Sequence, residues 1–181
     1  MVRPNMTNLR PEYVFINIDE VHGVNRDSRA RKRGLSNAQL LADFTNNVIR
    51  KIRSYDSNVK IMSWDDMWNP YHNGGNENYQ VSDGSPSGAM APALNLINKN
   101  LIQIVWWYGE ETEKMIRSPQ LYNENGFEFL GGPGVYTTVE NIRQWSFLSY
   151  KYNALGMIGH SFYNGVDYIS ESANYSWNAV K

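Results

Sequence analysis

Four acidic side chains stand in two adjacent pairs along this sequence, Asp19-Glu20 and Asp65-Asp66. Each pair follows directly on a run of strand-forming residues. Carboxylates are costly to bury, so a pair at the end of an apolar run is expected to stand at the mouth of a site. Carboxyl groups placed there are suited to general acid–base catalysis. The alternative is that each pair marks an acidic surface turn.

The elements that must position these acids are two strands joined by a helix. Residues 13–18 and 59–64 predict the strands, and Ser36 with Gln39 has the spacing of a capping box at a helix start. Apolar residues then recur at three- and four-residue steps until a break near residue 54; they are Leu40, Leu41, Phe44, Val48, Ile49 and Ile52. A strand–helix–strand unit implies parallel pairing. Both acid pairs therefore lie at one edge of a sheet, where parallel barrels place their chemistry.

Strands and helices alternate through the rest of the chain. Further strands are predicted at 101–107, 127–130 and 156–162, with helices at 109–118, from a capping box of Thr137 with Glu140, and after Ser170. The second of these helices has an apolar face made of Ile142, Trp145, Phe147, Leu148 and Tyr152. Five parallel β/α units predict an α/β fold and a single domain over residues 1–181. A full (β/α)₈ barrel needs ~250 residues, so the pattern predicts a partial barrel or an open doubly wound sheet.

Two loops are long enough to matter for function. Residues 68–92 are rich in Gly, Asn, Ser and Pro, and loops of this length in compact domains are usually functional or disordered. The loop carries Trp68, Tyr71, His72 and Tyr79, which predict a lid or a subsite wall, with a poorly ordered tip at Gly74-Gly75. The basic loop 22–34 is predicted to be solvated, and the alternative is that one arginine reaches a substrate.

Composition excludes several classes of function. The 181 residues carry a net charge of −1, which gives no electrostatic basis for binding nucleic acid or an anionic membrane. No apolar run approaches the ~20 residues of a membrane helix. Without cysteine there is no disulfide, thiolate metal site or cysteine nucleophile. No G-x-G-x-x-G turn follows the first strand, so no cofactor is predicted. No signal peptide is predicted, and the compartment stays open, with the cytoplasm compatible.

Four segments together carry a family resemblance. They are F-I-N-I-D-E-V at 15–21, I-M-S-W-D-D-M at 61–67, V-W-W-Y at 105–108 and G-F-E at 126–128. They resemble glycoside hydrolase family 20, the β-N-acetylhexosaminidases, and most closely the hexosaminidase D-like branch. The resemblance covers nearly the whole chain. It implies strands four to eight of a TIM barrel and removal of a terminal N-acetylhexosamine, either GlcNAc or GalNAc.

The resemblance also implies a substrate-assisted retaining mechanism. Glu20 is then the general acid, and Asp19 holds and polarises the 2-acetamido group, whose carbonyl oxygen attacks the anomeric carbon. The implied substrate-binding residues are Trp64, Asp65, Asp66, Trp106, Tyr108 and Tyr136, and no metal is implied. One feature of the residues agrees: the predicted strand ending in Leu130-Gly131 supplies no carboxylate at its end, where an enzyme nucleophile would stand.

The chain also departs from the family pattern. Phe15 to Ile18 stand where the family has His and paired Gly, and Ser161-Phe162-Tyr163 replaces its last-strand Trp. The early strands, with an arginine that grips the sugar, are missing. We therefore expect a piece of a longer enzyme, or a chain that is weak or inactive alone. A second copy is the simplest cover for the open barrel edges.

Three rival interpretations remain open. A metal-dependent hydrolase would draw its ligands from His22, His72 and the four acids. A non-catalytic carbohydrate-binding domain would use the same aromatic residues without an operating acid. The last alternative is a structural fragment in which Trp145 and Trp177 are core residues and His160 is a satisfied core histidine.

Overall fold

The computed structural model describes residues 9–78, 88–109, 112–134, 138–160 and 169–177. Over these ranges the chain is α/β, with helices alternating with five strands. It forms two compact units, Met1–Leu101 and Ile102–Lys181. The predicted α/β class is confirmed. The expectation of one domain over residues 1–181 stays a prediction.

The first unit contains a parallel strand pair. β1 (Tyr13–Phe15) runs parallel to β2 (Lys60–Trp64), with Val14 opposite Ile61. The N–H of Ile16 donates to the carbonyl of Met62 at 2.8 Å, which continues the pairing beyond the last residue of β1. The predicted parallel pairing is confirmed, although β1 is shorter than the run that predicted it. Because the strands run in the same direction, both acid pairs follow at the same edge.

The basic loop contains one short helix, α1 (Ser28–Lys32), where the sequence predicts irregular chain. Asp27 caps it by accepting a hydrogen bond from the N–H of Arg29 at 2.7 Å. The Arg29 and Arg33 guanidinium groups pair with Asp27 and Asp43, each at 2.9 Å, on exposed surface. These contacts favour the solvated interpretation of this loop.

The long helix α2 (Asn37–Arg53) begins with the predicted capping box. The Gln39 N–H donates to Ser36 Oγ at 3.2 Å, and the Ser36 N–H donates to Gln39 Oε1 at 2.9 Å. The prediction that Phe44 belongs to the buried face is wrong, because its side chain is 59% exposed. The buried stripe passes through Thr45 instead, and its hydroxyl is satisfied by the Leu41 carbonyl at 2.8 Å.

We expect Ser36→Ala to lower the free energy of unfolding by about 1 kcal/mol, because the change removes the acceptor of the Gln39 N–H. Urea unfolding followed by circular dichroism measures the loss. Ser57→Ala, at an exposed position in a turn, is the control and should change stability by less than about 0.5 kcal/mol. Equal effects of the two variants would contradict the capping role.

The segment after β2 is folded tightly onto the first unit. Trp68 is fully buried, so the expectation that it forms a lid or subsite wall is wrong. The expected disorder at Gly74-Gly75 is also wrong. A 3₁₀ turn spans Asn73–Gly75, and the Gly74 N–H donates to the Asp66 carbonyl at 2.8 Å. Tyr79 lies outside the described residues.

A second 3₁₀ turn, Ala91–Asn95, packs against α2. Asn46 of α2 fastens the chain that follows this turn. Its Nδ2 donates to the Leu96 carbonyl at 2.8 Å, and its Oδ1 accepts from the Asn98 N–H at 2.9 Å.

The second unit contains three parallel strands. β3 (Leu101–Trp106) pairs with β4 (Phe129–Gly132), and β4 pairs with β5 (Gly156–Met157). An isolated bridge from Gly134 to His160 continues the parallel pairing beyond the ends of β4 and β5. The last strand is thus shorter than the predicted 156–162, of which residues 161 and 162 lie outside the described residues.

Two helices of this unit differ from their predicted bounds. α3 (Glu113–Glu124) is capped by Thr112 and continues through Pro119, beyond the predicted end at Ser118. α4 (Val139–Lys151) is capped by Thr138, whose hydroxyl accepts from the Asn141 N–H at 3.2 Å. The predicted cap, Thr137, lies outside the described residues. The last helix, α5, covers Ile169–Trp177.

The contact between α4 and β4 requires a glycine. A Cβ atom on Gly131 would lie 2.4 Å from Ser149 Oγ and 3.0 Å from the Trp145 ring. Trp145, Ile142 and Leu148 form the buried face of the helix, as predicted. Phe147 does not belong to that face, because it is 48% exposed.

Candidate active site

The two acid pairs come together at the end of the β1–β2 pair. The backbone N–H of Glu20 donates to Asp66 Oδ2 at 3.1 Å, although the residues are 46 positions apart in sequence. Next to it, the Val21 N–H points to Met67 Sδ at 3.2 Å. The parallel register accounts for this meeting, since Ile16 and Met62 are bonded and each chain continues in the same direction.

Asp19 and Glu20 are adjacent but occupy different environments. Asp19 is half-buried, whereas Glu20 is exposed. Glu20 has a φ of 45°, in the left-handed region that non-glycine residues rarely adopt. Such a conformation persists only where surrounding contacts hold it, and the hydrogen bond to Asp66 is one of them. The turn separates the two neighbouring carboxyl groups, one against protein and one toward solvent.

Asp66 is fully buried and organises the surrounding chain. Its Oδ2 accepts from Asn73 Nδ2 at 2.8 Å as well as from the Glu20 N–H. Burial raises the pKa of Asp66 to about 8, and the negative charges of Asp19 and Asp65 act in the same direction. The hydrogen bonds from Asn73 and Glu20 act against these effects. At pH 7 most Asp66 side chains therefore carry a proton.

Asp19 also holds its proton more tightly than an ordinary aspartate. Burial raises its pKa, the charge of Glu20 adds to the effect, and a hydrogen bond with the Asp66 side chain opposes it. The carboxyl groups of Asp19 and Asp66 thus form one interacting system, and removing protons from both is unfavourable.

Asp65 fixes the turn that follows β2. Its Oδ2 accepts from Asn69 Nδ2 at 2.6 Å, and its carbonyl accepts from the N–H groups of Trp68 and Asn69 at 3.1 and 3.0 Å. Asp65 and Asp66 are both fully buried, so neither presents surface to a ligand in this structure. Both carboxyl groups make contacts with the chain itself, and their predicted contact with substrate stays a prediction.

Trp64 is the aromatic residue nearest to these acids in sequence. It is buried and packs edge-to-face on Phe15, with ring centroids 5.5 Å apart. Phe15 is itself partly exposed on β1. Trp64, which is predicted to wall the sugar pocket, therefore presents less surface than its neighbour Phe15.

The second unit carries a separate cluster of rings beyond β3. Trp106 stacks on Tyr108 with centroids 4.8 Å apart, and the Tyr108 hydroxyl lies 2.6 Å from His160 Nε2. Gly134 admits this arrangement, since a Cβ there would lie 2.3 Å from the Tyr108 ring. Burial lowers the pKa of His160, so the imidazole is neutral at pH 7. All three rings are half-buried.

Asn141 and Trp145 hold the chain that carries Tyr108. Trp145 Nε1 donates to the Trp107 carbonyl at 3.0 Å, and Asn141 Nδ2 donates to the Gly109 carbonyl at 2.6 Å. Sequence reasoning assigned Tyr108 and Trp106 to the site but treated His160 as a core residue. The sequence holds no spacing signal that joins His160 to Tyr108. Tyr136 lies outside the described residues.

No protein-family model matches the chain. A search of the curated proteins likewise gives no match. Evidence on function therefore comes from the acids after β1 and β2 and from the rings after β3.

The described part of the chain lacks two further features, a metal site and a membrane span. No group of three or more His, Asp or Glu side chains there is arranged to hold a metal ion. Among the same residues, no helix combines the length and the apolar character that a membrane span requires.

Proposed function

We propose that this chain carries the acid pair of a β-N-acetylhexosaminidase that works by substrate-assisted retention. The observation that supports this proposal most directly is the division between Asp19 and Glu20. The Glu20 carboxyl group is exposed to solvent, and the Asp19 carboxyl group is half-buried against Asp66, whose pKa is raised to about 8 by burial. A general acid and a fixed hydrogen-bond acceptor have these respective requirements.

In the proposed reaction Glu20 protonates the leaving glycosidic oxygen. The acetamido carbonyl oxygen of the substrate forms a bond to the anomeric carbon as the bond to the leaving group breaks. Asp19 accepts a hydrogen bond from the acetamido N–H and stabilises the positive charge that develops there. Glu20, now ionised, takes a proton from water, which opens the cyclised intermediate with net retention.

The buried acids favour this route over an enzyme nucleophile. Ordinary retaining glycosidases use a second, ionised carboxylate ~5.5 Å from the acid. Asp65 and Asp66 are fully buried, and Asp66 is mostly protonated at pH 7. Neither side chain is suited to attack a sugar, so the nucleophile of the proposed reaction comes from the substrate.

On the fold, we propose that the parallel β/α units correspond to strands four to eight of a TIM barrel. Barrel active sites lie at the carboxyl ends of the strands, which is where Asp19 and Glu20 follow β1. The proposed barrel would be completed by chain from a longer parent or by a second copy covering the open edges.

A non-catalytic carbohydrate-binding domain is the second candidate. The half-buried stack of Trp106 on Tyr108 favours it, because aromatic faces bind sugar rings without any acid. This candidate would be supported if the chain binds sugar without hydrolysing it and if Glu20→Gln binds the sugar as tightly as wild type does.

Calorimetric titration with the thiazoline analogue of N-acetylglucosamine tests the proposed function. The analogue mimics the cyclised intermediate, so we expect wild type to bind it and Asp19→Ala to bind at least about tenfold more weakly, through loss of a charge-assisted hydrogen bond. Asp43→Ala, on α2, is the control and should bind like wild type. Absence of wild-type binding, or equal binding by Asp19→Ala, would contradict the proposal.

A further inference from the structure

One buried oxygen on each of Asp19 and Asp66 receives no hydrogen bond from an N–H or hydroxyl donor. These atoms are Asp19 Oδ1 and Asp66 Oδ1, and the two carboxyl groups are in hydrogen-bond contact with each other. An ionised carboxylate only accepts hydrogen bonds, so two ionised groups would leave both oxygens unsatisfied and in repulsion. A single proton on one carboxyl group removes one of the two charges and supplies a donor for the other group.

The contacts of the other Asp66 oxygen indicate where a proton has room. Oδ2 already accepts two hydrogen bonds, from the Glu20 N–H at 3.1 Å and from Asn73 Nδ2 at 2.8 Å. It is the carbonyl-like oxygen of a neutral carboxyl group. Oδ1 accepts from no donor and is the atom with room for a proton.

We propose that Asp66 is a neutral positioning acid, which donates its Oδ1 proton to Asp19 and holds the Glu20 N–H on Oδ2. Asp66 thereby orients both members of the pair without touching substrate. The inference deepens the proposed function, since Asp19 and Glu20 are the residues on which that function rests, but the proton can be measured without any sugar.

The electrostatic surroundings favour this state. The ionisable groups that act on the pair are Glu20 on the loop after β1 and Asp65 next to Asp66, and both are acidic. From the 3₁₀ turn, the neutral side-chain amide of Asn73 contacts Asp66. The backbone N–H of Asn73 donates to His72 Nδ1 at 2.9 Å. Burial and the acidic neighbours raise the pKa of Asp66 to about 8, so the proton is held at pH 7 and is lost as the pH rises through about 8.

Carbon-13 NMR of protein labelled at the aspartate carboxyl carbons tests the proposal directly. We expect one wild-type resonance to titrate near pH 8, as the raised pKa of Asp66 requires, and that resonance to be absent in Asp66→Asn. Asp65→Asn is the matched control, since it also replaces a buried acid after β2, and there the resonance should persist. The proposal is overturned if every wild-type aspartate titrates below about pH 6, or if the resonance remains in Asp66→Asn.

Binding of the thiazoline gives the second readout. Asparagine keeps a donor and an acceptor in the same places as a neutral carboxyl group, whereas alanine keeps neither. We therefore expect Asp66→Ala to bind at least about tenfold more weakly than Asp66→Asn. Equal binding by the two variants overturns the positioning role. Wild type could show the high-pH resonance and yet bind no thiazoline. That result would contradict the proposed function and would still support a proton held between Asp66 and Asp19.

Discussion

Glu20→Gln should slow hydrolysis of a β-linked N-acetylglucosamine disaccharide by about 10²–10⁴-fold, the usual contribution of a general acid. The amide occupies nearly the same volume but has no proton to give to the leaving oxygen. Steady-state kinetics measures the change in kcat, and titration with the thiazoline measures binding separately. Because Glu20 is exposed, the substitution should have little effect on stability.

Two comparisons separate loss of the acid from general damage. A 2,4-dinitrophenyl glycoside needs little protonation of its leaving oxygen, so Glu20→Gln should slow its cleavage far less than that of the disaccharide. Glu12→Gln removes another exposed carboxyl group, just before β1, and should leave both rates unchanged. An equal loss on both substrates, or no loss on either, would show that Glu20 is not the acid.

Local signals in the sequence were sufficient for the start of α2 and for the pairing of β1 with β2. The Ser36–Gln39 box needs only residues three positions apart, and it forms as predicted. Parallel pairing followed from the connection between β1 and β2, and with it the shared edge of the two acid pairs. In each case one rule about short-range geometry is enough.

The predictions from sequence fail where tertiary contacts determine which side chains are buried. Helical periodicity places Phe44 and Phe147 near an apolar face, but only the neighbouring elements determine that these rings remain exposed. The helix that contains Pro119 continues to Glu124 with the proline buried, which the local rule that proline ends a helix does not predict.

The burial and hydrogen bonding of the acids could not be predicted from the sequence either. The sequence predicts Asp65 and Asp66 as site residues at a strand end, and the structure buries both. That burial depends on the turn at Asn73–Gly75, whose amide and N–H groups meet Asp66. The positive φ of Glu20 depends in turn on Asp66, 46 residues away. No pattern within a short window of sequence contains these relations.

Trp68→Ala should lower the free energy of unfolding of the first unit by about 3–5 kcal/mol, because it empties the space of a fully buried indole. Phe44→Ala, also in this unit but 59% exposed, is the control and should cost far less. Trp145→Ala removes a fully buried indole from the second unit and should produce a loss of similar size there.

Hydrogen exchange resolved by residue is the appropriate measurement, since two units need not unfold in one transition. The Gly74 amide, bonded to the Asp66 carbonyl, should lose protection in Trp68→Ala and keep it in Trp145→Ala if the units unfold separately. If Trp68 instead formed a subsite wall, its removal would weaken thiazoline binding and leave this protection unchanged. A loss of protection at Gly74 would therefore link the core of the first unit to the turn that holds Asp66, and through Asp66 to the acid pair.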